Sequence, residues 1–153
     1  MGREPKKIII RDIMTKAVIS VDATVNVNDA AKMMEDAKVG AIIVMENNRP
    51  IGIITDRDFA VKIVAHAYPI TTPVKTIMST PLIGISPEES IWHVADLMYA
   101  KGVRKIPVIE QDTVIGIITA TDLVNKFAVS TEEDLKNMYF QSIAKIFVQP
   151  HYV

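Results

Sequence analysis

The chain has 153 residues, 49% of them hydrophobic and 23% charged, with a formal net charge of −1. That length can bury a core, and near-neutrality excludes a general attraction to nucleic acid or an anionic membrane, so phosphate binding would need a local cluster of charge. There is no cysteine, which excludes disulfides, zinc–thiolate sites and thiol nucleophiles, and the apolar runs fall far below the roughly 20 residues of a membrane span.

Residues 1–7 are followed by no apolar stretch of signal-peptide length. Met1-Gly2 alone is weak evidence for myristoylation, because Lys6 stands where that motif needs Ser or Thr. The expected location is cytoplasmic. Residues 17–20 read as a short extended piece that ends in a turn at 22–24. Val27, Ala30, Ala31 and Met34 then fall at i, i+3, i+4 and i+7, the face of an amphipathic helix. Residues 41–45 form an apolar strand, 46–49 a polar turn, and 50–55 a second strand carrying Gly52, which together predict a hairpin. Residues 59–64 predict a closing helix. Residues 65–76 contain Pro69 and Pro73 and read as a connector rather than a helix.

The plan then returns at an offset of 64 residues, with Gly52 matching Gly116 and Pro50-Ile51-Gly52-Ile53-Ile54-Thr55 matching Val114-Ile115-Gly116-Ile117-Ile118-Thr119. The same offset pairs Ile13-Met14 with Ile77-Met78, Ile19 with Ile83, Met34 with Met98 and Val44 with Val108. Ile91, Val94, Ala95 and Met98 give the helical face of the second copy, with Ser86-Pro87 as its start signal. The expected fold is α+β with α/β-type layers: two tandem β-α-β-β-α repeats, each with helices covering a small sheet. The boundaries predicted are residues 8–68 for the first repeat, 69–76 for the linker, 77–129 for the second repeat and 130–148 for a C-terminal helix. That helix starts at Ser130-Thr131-Glu132-Glu133-Asp134. Its face of Leu135, Met138, Tyr139, Ile143 and Ile146, widened by Phe140 and Phe147, is expected to pack on the domain or on a second copy.

Both repeats carry Thr-x-x-Asp, as Thr55/Asp58 and Thr119/Asp122. Two readings stand for this spacing. It is a capping box at a helix start; it is also a ligand motif, with N–H groups and a hydroxyl for phosphate and a carboxylate for the two hydroxyls of a ribose. Arg104 and Lys105 are two adjacent cations at the entrance of an apolar strand. Strand alternation sends one of them inward, whereas an edge-blunting role would leave them solvated. His66, His93 and His151 share no constellation with a Ser or Asp, and there is neither a Walker loop nor Gly-x-Gly-x-x-Gly. No catalytic residue and no metal site is expected. Trp92 is expected to pack rather than bind a base.

Met14-Thr15 and Met78-Ser79 ahead of the first strands, Val103-Arg104-Lys105-Ile106-Pro107-Val108, and the doubled Gly-x-x-Thr-x-x-Asp resemble the signatures of the cystathionine-β-synthase (CBS) domain pair, or Bateman module, over residues 8–128. The resemblance implies two repeats related by a pseudo-two-fold axis, a cleft with two potential sites, binding of AMP, ADP or ATP with S-adenosylmethionine as a further candidate, and pairing into a homodimer. It implies a first site of Ile53, Thr55, Arg57, Asp58, Ile83, Arg104 and Lys105, in which Arg57 is either a phosphate contact or solvated. The second site is implied to hold Ile19, Gly40, Ala41, Ile117, Thr119 and Asp122, with Lys16, ahead of the first strand, either leaning towards it or solvated. Gly40-Ala41 offers no cation where the second repeat offers two, so the second site is expected to be weaker, or suited to a less charged ligand. The expected function is a non-enzymatic regulatory module that signals to an unidentified effector protein in trans. The alternative is an assembly subunit with structural repeats and no nucleotide ligand. Net charge and the lack of a long basic stripe count against a nucleic-acid partner.

Overall fold

The computed structural model describes residues 8–129 and 133–148. A 3₁₀ turn at Ile10–Asp12 leads into β1 (Ser20–Asp22), α1 (Val27–Ala37), β2 (Ala41–Glu46) and β3 (Arg49–Thr55). Then come α2 (Asp56–Asp58), continued by a π-helical turn (Phe59–Val64), and a short α3 (Val74–Ile77). The second half has α4 (Ile91–Lys101), β4 (Lys105–Glu110), β5 (Thr113–Thr119) and α5 (Ala120–Val129), and α6 (Glu133–Val148) follows.

The helical periodicity translates directly into burial. Val27, Ala30 and Met34 of α1 are buried, as are Ile91, Val94, Ala95 and Met98 of α4. Asn26 and Ser90 cap the two helices by accepting from the N–H groups of Asp29 and His93, which satisfies donors that have no partner within the helix. The start of α4 is therefore Ser90, not the expected Ser86-Pro87. Those residues instead make a turn in which Glu89 N–H donates to Ser86 O at 3.2 Å.

Each hairpin closes through two residues in the left-handed region, Asn47 and Asn48 (φ 50° and 60°) and Gln111 and Asp112 (φ 49° and 62°), the geometry that matches strand twist in a two-residue turn. The registers coincide across the repeat, with Ile43 opposite Ile53 and Pro107 opposite Ile117. The repeats differ at their first strand. In the first, β1 runs parallel to β2, and Ile43 N–H donates to Ile19 O at 3.0 Å. In the second, the matching donor would be Pro107, which has no N–H. Pairing there shrinks to an isolated bridge between Ile85 and Val108, so the expected second-repeat strand carrying Ile83 is absent.

The segment leading into each repeat packs in the other. Ile10 is fully buried among residues of the second repeat, with Ile13 and Met14 against them, and Thr15 exchanges 2.9 Å backbone hydrogen bonds with Ile117. Arg11 pairs with Glu88 and Glu110, which raise its pKa in that order. Reciprocally, Val74 and Ile77 are buried in the first repeat's core, and Ser79 exchanges hydrogen bonds of 3.2 and 2.9 Å with Ile53. This crossing explains both strand glycines. A Cβ on Gly52 would lie 2.6 Å from Met78 Sδ, and one on Gly116 would lie 2.7 Å from Met14 Sδ. It also corrects the expectation that the connector holds no helix. Pro73 opens α3 rather than blocking it, since proline is compatible with a helix start, and the turn is fixed by burial of Val74 and Ile77.

Ala41 and Ile43 of one hairpin and Ile117 of the other are buried together, which holds the repeats side by side. On the outer face, α6 packs on α4 and α5 through buried Ile143 and Ile146. Phe140 and Phe147 remain 58% and 44% exposed, so the wide apolar face expected of this helix is only partly covered. Ser130, Thr131, Glu132 and His151, and the side chains of Leu135, Met138 and Tyr139, lie outside the described residues.

Candidate functional site

A cavity of about 700 Å³ opens where the ends of β3 and β5 meet the segments before β4 and after α3. Its size suits a small organic ligand. Ile53, Thr55, Arg57, Asp58, Ile83, Arg104 and Lys105 all line it. The structure thus brings the first set of sequence-selected residues to one place. Ile83 stands on that wall 40% exposed.

Thr55 and Asp58 form a capping box. Thr55 N–H donates to Asp58 Oδ2 at 2.7 Å and its hydroxyl lies 3.3 Å from the same oxygen. Asp58 is only 1% exposed. Its Oδ1 faces Lys62 Nζ at 3.0 Å as an ion pair and has no further partner among the described residues, and Lys62 also donates to Ile77 O at 2.8 Å. Burial of a carboxylate requires such compensation. Asp58 thus caps the helix through one oxygen and holds Lys62 through the other, while Thr55, Asp58 and Lys62 all belong to the cavity wall.

Arg104 lies just ahead of β4, outside the alternation of the strand, so both it and Lys105 reach the cavity rather than one of them. Lys105 Nζ crosses to the first repeat, donating to Gly40 O at 3.2 Å and to Asp56 Oδ1 at 2.9 Å. The Arg104 guanidinium stands 4.7 Å from the centroid of the Phe147 ring, and its buried Nε has no hydrogen-bond partner among the described residues.

The second set is not gathered in the same way. Of Lys16, Ile19, Gly40, Ala41, Ile117, Thr119 and Asp122, only Thr119 lines the large cavity. Ala41 and Ile117 are buried between the hairpins, Ile19 packs on the first core, and Lys16 is exposed. Gly40 is covered by the Lys105 amine, 3.1 Å from where a Cβ would stand. Thr119 and Asp122 form their own capping box, at 2.9 and 3.1 Å, and the Thr15 hydroxyl donates to Asp122 at 3.1 Å. A second cavity of about 310 Å³ is lined by none of these seven residues. Among the described residues no cluster of His, Cys, Asp or Glu could hold a metal ion, and no helix is long and apolar enough to cross a membrane. His93 is exposed on α4, while Trp92 packs against the second core.

Among the wall residues that had not been selected from the sequence, Asp56, Lys101 and Phe147 add charge or an aromatic ring. Asp56 sits inside the Thr-x-x-Asp motif, and its mismatch with Ala120 of the second copy was a readable signal. Lys101 ends α4, where a cation complements the helix dipole and so attracts no special notice. Phe147 lies in α6, outside both repeats, and nothing local in the sequence ties it to the cavity.

Comparison with known proteins agrees with this architecture. The CBS domain family matches twice, at residues 10–65 and 74–129. CBS domain-containing protein YhcV of Bacillus subtilis is 34% identical over 136 residues, covering 88% of this chain and 97% of that protein. An uncharacterized conserved protein of Pyrococcus horikoshii superposes with a TM-score of 0.77 at 25% identity, over 84% of this chain and 98% of the other. The CBS domain pair of protein MJ0100, solved in complex with 5′-methylthioadenosine and S-adenosyl-L-methionine, gives 0.73 at 25% identity over 80% and 97%. A hexameric CBS-CP12 protein from bloom-forming cyanobacteria gives 0.74 at 28% identity, over 88% and 81%. With two family matches that fall on the two halves of the fold, and a 34% identical relative aligned along almost its whole length, this chain belongs to the CBS domain family as a tandem pair.

Proposed function

We propose that this CBS pair is a regulatory module that binds an adenosyl ligand carrying phosphate, AMP, ADP or ATP, in the cavity between the repeats. The observation that carries the reading is the convergence of Thr55, Asp58 and Ile83 with three cations, Arg57, Arg104 and Lys105, around one cavity of ligand size. The walls are mixed in the sense the ligand needs. Ile53 and Ile83 offer apolar surface to a base, Thr55 and Asp58 offer a hydroxyl and carboxylate edge to a ribose, and the cations offer partners to phosphate. MJ0100 supports the adenosyl class, since its CBS pair was solved with two adenosyl compounds. Because ligand contacts come from both repeats, occupancy would bias their relative placement, which is what a regulatory signal to a partner in trans requires. No catalytic role is assigned to any wall residue. The rival reading, an assembly subunit without a nucleotide, draws on the hexameric CBS-CP12 neighbour.

Calorimetric titration with AMP, ADP, ATP and S-adenosylmethionine separates the two. The expected outcome is saturable binding of a phosphorylated ligand that an Arg104→Ala/Lys105→Ala variant loses by at least tenfold, about 1.4 kcal/mol. A folded protein that binds none of the four overturns the reading in favour of the assembly subunit.

A further inference from the structure

We infer that Phe147, in the helix beyond the two repeats, is a positioning residue for the phosphate end of the cavity and acts through Arg104. The inference rests on the binding reading above, and goes beyond it by assigning the C-terminal helix a part in ligand discrimination. The second family match ends at residue 129, so α6 is an addition to the pair. It is anchored by Ile143 and Ile146, 6% and 2% exposed in the second repeat's core. That anchorage fixes the helix end and brings Phe147 to the cavity wall. A phenyl ring left 44% exposed beside two buried isoleucines is not explained by core packing.

What the ring touches is the Arg104 guanidinium, 4.7 Å from its centroid. A guanidinium stacked on an aromatic face uses its flat side and keeps its N–H donors in the plane, free for an anion. The Arg104 Nε is buried and has no hydrogen-bond partner among the described residues, the condition of a donor held ready for an acceptor that arrives with a ligand. Arg104 precedes β4 and its backbone carbonyl accepts from Ala120 N–H at 2.9 Å, while the contact on its guanidinium is the Phe147 ring. Without the ring its long side chain would sample several rotamers, and ordering it would then cost part of the binding energy. Lys105 is already ordered by Asp56 and Gly40, so the dependence on α6 belongs to Arg104.

The test compares AMP with 5′-methylthioadenosine, which shares the adenosyl group and lacks phosphate, on Phe147→Leu and Phe147→Tyr variants, with thermal unfolding followed in parallel. Phe147→Leu keeps apolar bulk and removes the ring; it is expected to weaken AMP about fivefold to tenfold, the size of a partly desolvated cation–π contact, and to change 5′-methylthioadenosine by less than twofold. Phe147→Tyr is expected to retain wild-type affinity for both. Equal loss of both ligands would put the ring against the adenosyl group instead and overturn the positioning role. Unchanged AMP affinity in Phe147→Leu, or equal losses in the Leu and Tyr variants, would overturn it while leaving the binding reading intact. Failure of the wild-type protein to bind either ligand would overturn both.

Discussion

The Lys105 ammonium is held at 2.9 Å by Asp56, whose side chain is 69% exposed against 25% for the lysine. An exposed pair of this kind contributes about 0.2–1 kcal/mol to stability, and under the proposed function its larger effect would be on the ligand. A phosphate entering the cavity must share Lys105 with a carboxylate of its own sign. Replacing Asp56 with Asn is therefore expected to raise AMP affinity about threefold, in line with that pair energy, and to leave the neutral 5′-methylthioadenosine unchanged. Calorimetry on the two ligands checks this, and a fall in AMP affinity would mean that Asp56 instead orients Lys105 for the ligand. Asp58 is different in kind. It is buried, capped to Thr55 and paired with Lys62, so its removal would disturb fold and site together. Asp56 gives the cleaner probe.

At the scale of elements, the two strand glycines are explained by what crosses them. The Met14-Thr15 and Met78-Ser79 segments run so close over β5 and β3 that a Cβ on Gly116 would lie 2.7 Å from Met14 Sδ and 3.0 Å from Thr15 O. A backbone oxygen in that position cannot move aside as the end of a side chain can. Gly116→Ala is expected to destabilise by about 1–3 kcal/mol through overpacking, read as a lower denaturation midpoint with an unchanged m-value. The Gly-Ile-Ile strands were legible as buried and β-branched, and the amphipathic faces of α1 and α4 were legible from spacing. These signals are local, because burial on one face imposes a period on the sequence. Pro107 was also legible in the sequence, and it lacks the N–H that in the first repeat ties Ile43 to Ile19. The reading of Pro73 as a breaker failed because a proline's effect depends on whether the residues after it have something to pack against. Val74 and Ile77 do.

At the scale of the whole molecule, the exchange of leading segments makes the two repeats mutually dependent. Ile10 precedes the first repeat yet is fully buried in the core of the second. Ile10→Ala is expected to cost about 2–5 kcal/mol and to lower amide-exchange protection first in α4, β4 and β5, with α1 and β2 affected less. Hydrogen exchange resolved by segment checks this, and equal loss in both halves would show instead that the pair unfolds as one unit. Such dependence matters for function, since a ligand bridging two coupled halves can bias both.

The sequence by itself determined the repeat, the order β-α-β-β within its first copy, and the chemistry of many of the residues that line the cavity. Each of these is written in the period of apolar residues, in two matched motifs, or in a local mismatch between the copies. Only the tertiary structure decided which of the two motif sets would share a cavity. Gly40 is covered by a lysine from the other repeat, and Asp122 by a threonine hydroxyl from the leading segment, both more than 60 residues away in the chain. It likewise decided that α6 would bring Phe147 to Arg104. Contacts between elements with no shared periodicity leave no pattern in the chain, because they are selected by packing after the elements have formed.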